Sequence, residues 1–381
     1  MMRIEWQEGG QSHSALWRSE SGWPAPKKVA LADDTMSADA AYRLALDGTA
    51  LLWRGDFQNA RQLLQALVRR IDHKGERGRR GKAGKPAATP LEAFHRHRLQ
   101  QLQRARTLAM LVIPFEADHA IPLRRAPDAR LACLEAYGLA DQPYVASLRE
   151  LLGVIGAHEW RRKGVPIPAL DDRIHPWYGV FSPVRGEYVE LVAQAPLPPG
   201  ARNAFDIGAG TGVLSGVLAR RGLRVTATDM DARALGCARE NIGRLGLAGQ
   251  VDVIEADLFP QGQAALVVCN PPWLPGKPSS SIEYAIYDPD SRMLRGFLDG
   301  LAAHLAPGGE GWLIMSDLAE HLGLRSREQL LGWIGAAGLQ VVARHDTRPV
   351  HPRASDADDP LHMARSQEVT SLWRLAAAAA G

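Results

Sequence analysis

The chain has 381 residues, 46% hydrophobic and 23% charged, with a formal net charge of +3 at pH 7. Its length exceeds one average domain and its apolar content suffices for two cores, so two domains are expected. So small a charge excess does not by itself demand a nucleic-acid partner. Three scattered cysteines, Cys133, Cys237 and Cys269, exclude a disulfide framework or a cysteine zinc site and read as packing residues of a reducing, cytoplasmic interior. The opening residues MMRIEWQEGG lack the pattern of a signal peptide, and no run approaches the ~20 apolar residues that span a bilayer. Neither a membrane nor a metal is expected.

Roughly the first thirty residues are polar and weakly patterned. MSADAAYRLALDG then reads as a helix capped by Ser37, and TALLWRGDFQNARQLLQALVRRI as a short strand and a helix starting near Asp56. From 72 to 90 the chain is dense in Lys, Arg and Gly, with too little apolar surface to offset its ordering entropy, and is expected to be a mobile basic loop. Helical patterns resume at 91–111 and 143–162. Residues 1–172 are therefore expected to form a mostly helical N-terminal domain. Trp53, Trp160 and Trp333 lie in apolar patterns and are expected in the core.

The proline-rich stretch VPIPALDDRIHPWYG marks a change of texture, and 173–381 reads as an α/β domain. Strands are expected at 204–207, 224–228, 251–255, 265–269, 311–315, 339–344 and 369–374. No helical pattern fits between the last two, so they are expected to pair antiparallel at one side of the sheet. The long connection between them carries His345, His351 and His362 without recognisable metal-ligand spacing.

Chemistry concentrates at the expected strand ends. FDIGAGTG places Gly208, Gly210 and Gly212 between the first strand and its helix, where the backbone turns tightly and approaches a ligand at the helix N-terminus. The dinucleotide fingerprint requires a glycine three places after its second one, and Val213 stands there, which disfavours NAD. Asp229 ends the second strand, suited to accept from both hydroxyls of a ribose; Asp257 ends the third, suited to an adenine amine with Leu258 against the ring. The fourth strand runs into Asn270, Pro271, Pro272 and Trp273.

With GVFSPVRGEYVELV upstream, the ordered set FDIGAGTG, ATDMD, EADLF and NPPW resembles the class I S-adenosylmethionine-dependent methyltransferases. Within them it is similar to the small-domain group of HemK-type protein glutamine methyltransferases and rRNA guanine methyltransferases. The resemblance implies a Rossmann-like seven-stranded sheet with helices on both faces and S-adenosyl-L-methionine as cofactor. It further implies cofactor contacts from Phe181, Asp206, Gly208, Gly210, Gly212, Asp229, Met230, Asp257, Leu258 and Asn270. Arg185 and Glu187 are expected to shape the pocket, and Tyr284 and Tyr287 to border the acceptor site.

In enzymes of this kind the Asn-Pro-Pro-aromatic turn grips a planar nitrogen whose lone pair is delocalised. The Asn270 side-chain oxygen and the Pro271 carbonyl are expected to accept its two hydrogens, Pro271 and Pro272 to stiffen the turn, and Trp273 to offer a flat face. The aromatic is Trp where the HemK group usually has Tyr. The expected acceptor is a macromolecule: first a protein glutamine amide, alternatively the exocyclic amine of guanine or adenine in RNA. A catalytically inactive cofactor- or RNA-binding module is the reading of another class. Oligomeric state has no signal in the sequence.

Overall fold

A tight Gly9-Gly10 turn joins β1 (Arg3–Glu8) to β2 (Gln11–Arg18) in register, Glu8 opposite Gln11. Alternate residues of this hairpin face inward: Ile4, Ala15 and Trp17 are buried against Ala50, Leu52, Val112 and Val145. The computed structural model describes residues 2–81, 89–183, 186–278, 281–349, 356 and 359–378. It divides into two compact units, 1–88 with 95–159 and 89–94 with 160–381. The division falls ahead of the 172/173 boundary suggested by the proline-rich stretch.

The first unit adds β3 (Lys28–Ala32), α1 (Ala38–Leu46), β4 (Thr49–Trp53), α2 (Phe57–Gly81), α3 (Pro90–Ala109), β5 (Leu111–Phe115), α4 (Arg130–Tyr137), β6 (Tyr144–Ser147) and α5 (Leu148–Lys163), the last running on into the second unit. Ser37 caps α1, its side chain accepting from the Ala40 N–H. Helices supply more residues here than strands, but the unit is organised around a six-stranded mixed sheet, β1-β2-β6-β5-β4-β3, and is therefore α/β. Of its strands only β4 is expected from sequence. LVIPF and YVAS are largely buried runs of four or five residues, too short for periodicity to separate strand from helix. The other difference is α2, which continues through Gly81 into the stretch expected to be a loop from 72. The amphipathic start of this helix is propagated through Arg, Lys and Glu in spite of Gly75, Gly78 and Gly81, which disfavour helix. The rest of that stretch, 82–88, lies outside the described residues.

The second unit opens with a small antiparallel pair, β7 (Val165–Ile167) and β8 (Asp172–Ile174), and α6 (Glu187–Gln194). There follow β9 (Asn203–Ile207), α7 (Val213–Arg220), β10 (Arg224–Asp229), α8 (Ala232–Arg244), β11 (Val251–Glu255), β12 (Ala264–Cys269), β13 (Leu274–Pro275), β14 (Tyr287–Asp288), α9 (Arg292–His304) and β15 (Leu305–Ser316). The chain closes with α10 (Leu318–His321), α11 (Arg327–Ala336), β16 (Leu339–Thr347), α12 (His362–Arg365) and β17 (Thr370–Ala377).

All seven expected strands are present, in the order β11-β10-β9-β12-β15-β17-β16. The first five are parallel, and β17 runs antiparallel to both β15 and β16. One apolar cluster, including Val189 of α6, Val213 of α7 and Ile242 of α8, packs on one face; another, including Leu294 of α9 and Leu330 of α11, packs on the other. This is the Rossmann-like arrangement expected from the sequence. Among the described residues no helix is long and apolar enough to cross a membrane.

Candidate active site

The strand order reverses between β9 and β12, which places a crevice beyond their C-terminal ends. Ile207 and Cys269 are paired in register, so Gly208 and Asn270 leave adjacent strands at the same level. The glycine turn and the Asn-Pro-Pro-Trp turn are brought side by side by the sheet itself.

The glycine turn is fastened at both ends. Gly208 and Ala209 donate to the Thr228 carbonyl at 2.9 and 2.8 Å, and Gly212 donates to Ala209 at 2.8 Å. Gly212 has φ +77°, and a Cβ there would stand 3.3 Å from the Ala238 Cα, so the residue admits both the left-handed turn and the approach of α8. At Gly210 a Cβ would meet nothing within 4 Å, so the tip of the turn is open to a ligand.

Asp206 is buried beneath the turn, and its carboxylate accepts from the Ser215 hydroxyl at 2.5 Å and from the Ser215 backbone N–H. Gly212 offers α7 no capping side chain, and Asp206 serves the helix in its place. Burial, only partly offset by these bonds, pushes its carboxyl up to about 6. Asp206 thus acts on the underside of the turn, away from its open tip. Asp229, half-buried at the end of β10, accepts from the Gly210 N–H and the Asp231 N–H, both at 3.0 Å, one on each oxygen. Each oxygen retains a lone pair for a further donor.

Asp257 is exposed, and its Oδ2 accepts from Arg292 at 2.8 Å, a contact across 35 residues of sequence. Leu258 holds φ +70°; its carbonyl accepts from Thr228 Oγ1 at 2.6 Å, and its side chain packs where Gly296 of α9 leaves room. Met230 is 57% exposed on the rim. Phe181 is half-buried in an irregular segment. Arg185 lies outside the described residues, and Glu187 begins α6.

At the second turn Asn270 is half-buried, Pro271 buried and Pro272 half-buried. The Trp273 indole N–H donates to Asn270 Oδ1 at 2.9 Å, and the ring packs against both apolar clusters. The chain continues into β13, which pairs in parallel with β14. Asp288 at the end of β14 is buried and caps α9, accepting from the Met293 N–H at 3.0 Å and the Leu294 N–H at 3.1 Å. Burial raises its carboxyl from the ordinary value. The capped helix brings Met293 against Gly208, where a Cβ would lie 2.5 Å from the thioether methyl. Tyr284 is 66% exposed, whereas Tyr287 packs against Leu274 and its neighbours.

Residues 177–326, which contain all of these groups, match the family described as "Methyltransferase small domain". This segment is similar to a methyltransferase small domain. A "Ribosomal RNA small subunit methyltransferase C" of Aeromonas hydrophila subsp. hydrophila is 36% identical over 100 residues, 26% of this chain and 29% of its own length. A "Release factor glutamine methyltransferase" of Deinococcus radiodurans is 35% identical over 157 residues, 37% of this chain and 53% of its own length. A "tRNA1(Val) (adenine(37)-N6)-methyltransferase" of Shewanella sp. is 32% identical over 110 residues, 27% of this chain and 46% of its own length. The chain spans about half or less of the length of these curated relatives.

Sequence reasoning does not single out four residues of the second unit that border or support the site: Ser215, Asp288, Arg292 and Met293. Asp288-Pro289 just ahead of an apolar run is a helix-start signature and is the signal that points to the capped α9. Of the three tryptophans expected in the core, Trp53 is fully buried, while Trp160 is 49% exposed. Trp160 sits in the basic last turns of α5, beside Arg161, Arg162 and Lys163. Among the described residues no cluster of three or more His, Cys, Asp or Glu is arranged to hold a metal.

Proposed function

We propose that the chain is an S-adenosylmethionine-dependent N-methyltransferase acting on a primary, planar amino nitrogen. The register pair Ile207 and Cys269 carries this reading, because it sets the glycine turn and the Asn270 amide at the same level on neighbouring strands. The residues present fit the cofactor. The turn is open at Gly210, and Asp229 keeps acceptor capacity for ribose hydroxyls beside it. Arg292 holds one oxygen of Asp257, leaving the other for an adenine amine. When bound, the cofactor supplies an electrophilic methyl group on a positively charged sulfur.

The rest is done by the chain. An amide or base amine is a poor nucleophile because its lone pair is spread into the π system. Asn270 Oδ1 and the Pro271 carbonyl accept its two hydrogens and fix the nitrogen in a reactive orientation. Pro271 and Pro272 hold these acceptors rigid before substrate arrives.

As acceptor we place an exocyclic amine of RNA first, ahead of the glutamine amide. Two of the relatives above are named for RNA, and α3 is rich in arginine, with Arg104 already paired to Asp72 of α2. In this reading the first unit positions the substrate. A protein glutamine amide is the second reading, supported by the release factor enzyme, which matches over a larger share of its own length than either RNA-named relative.

The test is to incubate the protein with methyl-labelled cofactor and total bacterial extract, then digest with RNase or protease before counting. Label removed by RNase alone supports the RNA reading; label removed by protease alone rejects it for the protein one. Asn270→Ala is expected to lower the rate with cofactor affinity unchanged. A protein that binds the cofactor and labels neither pool is the inactive module.

A further inference from the structure

The indole of Trp273 is wedged against the apolar clusters on both faces of the sheet, so its direction is set by packing. From that anchored ring the N–H reaches Asn270 Oδ1 at 2.9 Å. An indole N–H only donates, so the amide must turn its oxygen, and not its NH2 group, toward the ring. The oxygen has two lone pairs; Trp273 occupies one, and the other remains for a substrate hydrogen.

Without that bond the carboxamide has two orientations of nearly equal shape. One presents an acceptor to the incoming amine. The other presents N–H against N–H, which repels it.

We propose that Trp273 is a positioning residue, which holds the Asn270 amide in its acceptor orientation through the indole N–H, a role beyond that of a stacking face. This rests on the reading of Asn270 as the acceptor clamp. Phenylalanine at this position keeps an aromatic face and loses the donor. The chain of support runs from packed ring to N–H, to amide oxygen, to substrate hydrogen.

The experiment compares wild type, Trp273→Phe and Asn270→Ala, using methyl-labelled cofactor and whichever extract pool, RNA or protein, takes up label. A lost neutral hydrogen bond corresponds to a rate loss of about three- to tenfold. W273F is expected to show that loss in maximal rate, with the half-saturating amount of acceptor changed less than about twofold and cofactor affinity unchanged. A loss confined to half-saturation would mean a stacking role and overturn the proposal. W273F at wild-type rate beside an impaired N270A overturns the positioning role and leaves the clamp standing. N270A at wild-type rate overturns the clamp itself.

A second measurement does not depend on activity. In protein labelled with nitrogen-15 at the ten tryptophan indoles, N270A is expected to shift one indole N–H signal, the one that W273F removes. An N270A spectrum with every indole signal in place overturns the proposal.

Discussion

Ser215 Oγ and Asp206 Oδ2 lie 2.5 Å apart beneath the glycine turn, and through this contact a buried carboxylate caps the helix that the turn begins. The folded carboxyl is raised from 3.8 to about 6, so folding favours the protonated form. Its contribution to stability is complete below the unfolded value and is lost as pH rises through about 6, a change on the order of 3 kcal/mol. Asp206→Asn keeps an acceptor for Ser215 and removes the titration. The melting temperature of the variant is expected to gain on that of wild type between pH 5 and pH 8. A constant gap across that range would contradict the assignment.

Asp229 ties the tip of the glycine turn to the end of β10 by accepting from Gly210 and Asp231. Asp229→Asn leaves one acceptor oxygen for two N–H groups and removes the charge facing the expected ribose. Cofactor affinity measured by calorimetry is expected to fall by about ten- to a hundredfold. Melting temperature is expected to fall modestly, because one of the two N–H groups loses its acceptor.

The glycines differ in what surrounds them. Gly212→Ala places a methyl against the backbone of α8, while Gly208→Ala meets only the flexible end of Met293. G212A is expected to lower the denaturant midpoint more than G208A. Adding Met293→Ala is expected to restore part of the G208A loss and none of the G212A loss.

Arg325 is only 4% exposed, and its Nε and Nη2 have no partner among the described residues. Burial lowers the guanidinium from its ordinary value. Buried donors left unpaired cost about 1–3 kcal/mol. Arg325→Met, with a similar stem and no donors, is therefore expected to raise the unfolding midpoint.

The second sheet is legible in the sequence because its first strands are short runs that stop at Gly208, Asp229, Asp257 and Asn270, and helical patterns separate several of them. The motifs are legible for the same reason: they sit where those runs stop. The first sheet is obscured because its runs are too short for a period, although the Gly-Gly turn with alternating Ile4, Trp6, Ala15 and Trp17 is a hairpin signal that can be read. Within the site, sequence spacing identifies Asn270 and Asp229 but cannot show how their lone pairs are shared. Arg292 on Asp257, Met293 on Gly208 and Trp273 on Asn270 are contacts made by folding. The first two link residues with no local relationship in the chain.

Thr89–Phe94 belongs to the second unit although most of α3 belongs to the first. The Phe94 ring is 3% exposed and shares an apolar cluster with Leu274, Leu318, Leu322 and Leu361. A polypeptide begun at residue 160 would carry every motif named above and still be missing this plug. Burial of such a ring is worth about 1.5–3 kcal/mol, and the socket it leaves adjoins the strand that follows Trp273. A fragment beginning at residue 160 is therefore expected to be less stable than the second unit with its upstream segment, because part of its interior is loaned from far upstream.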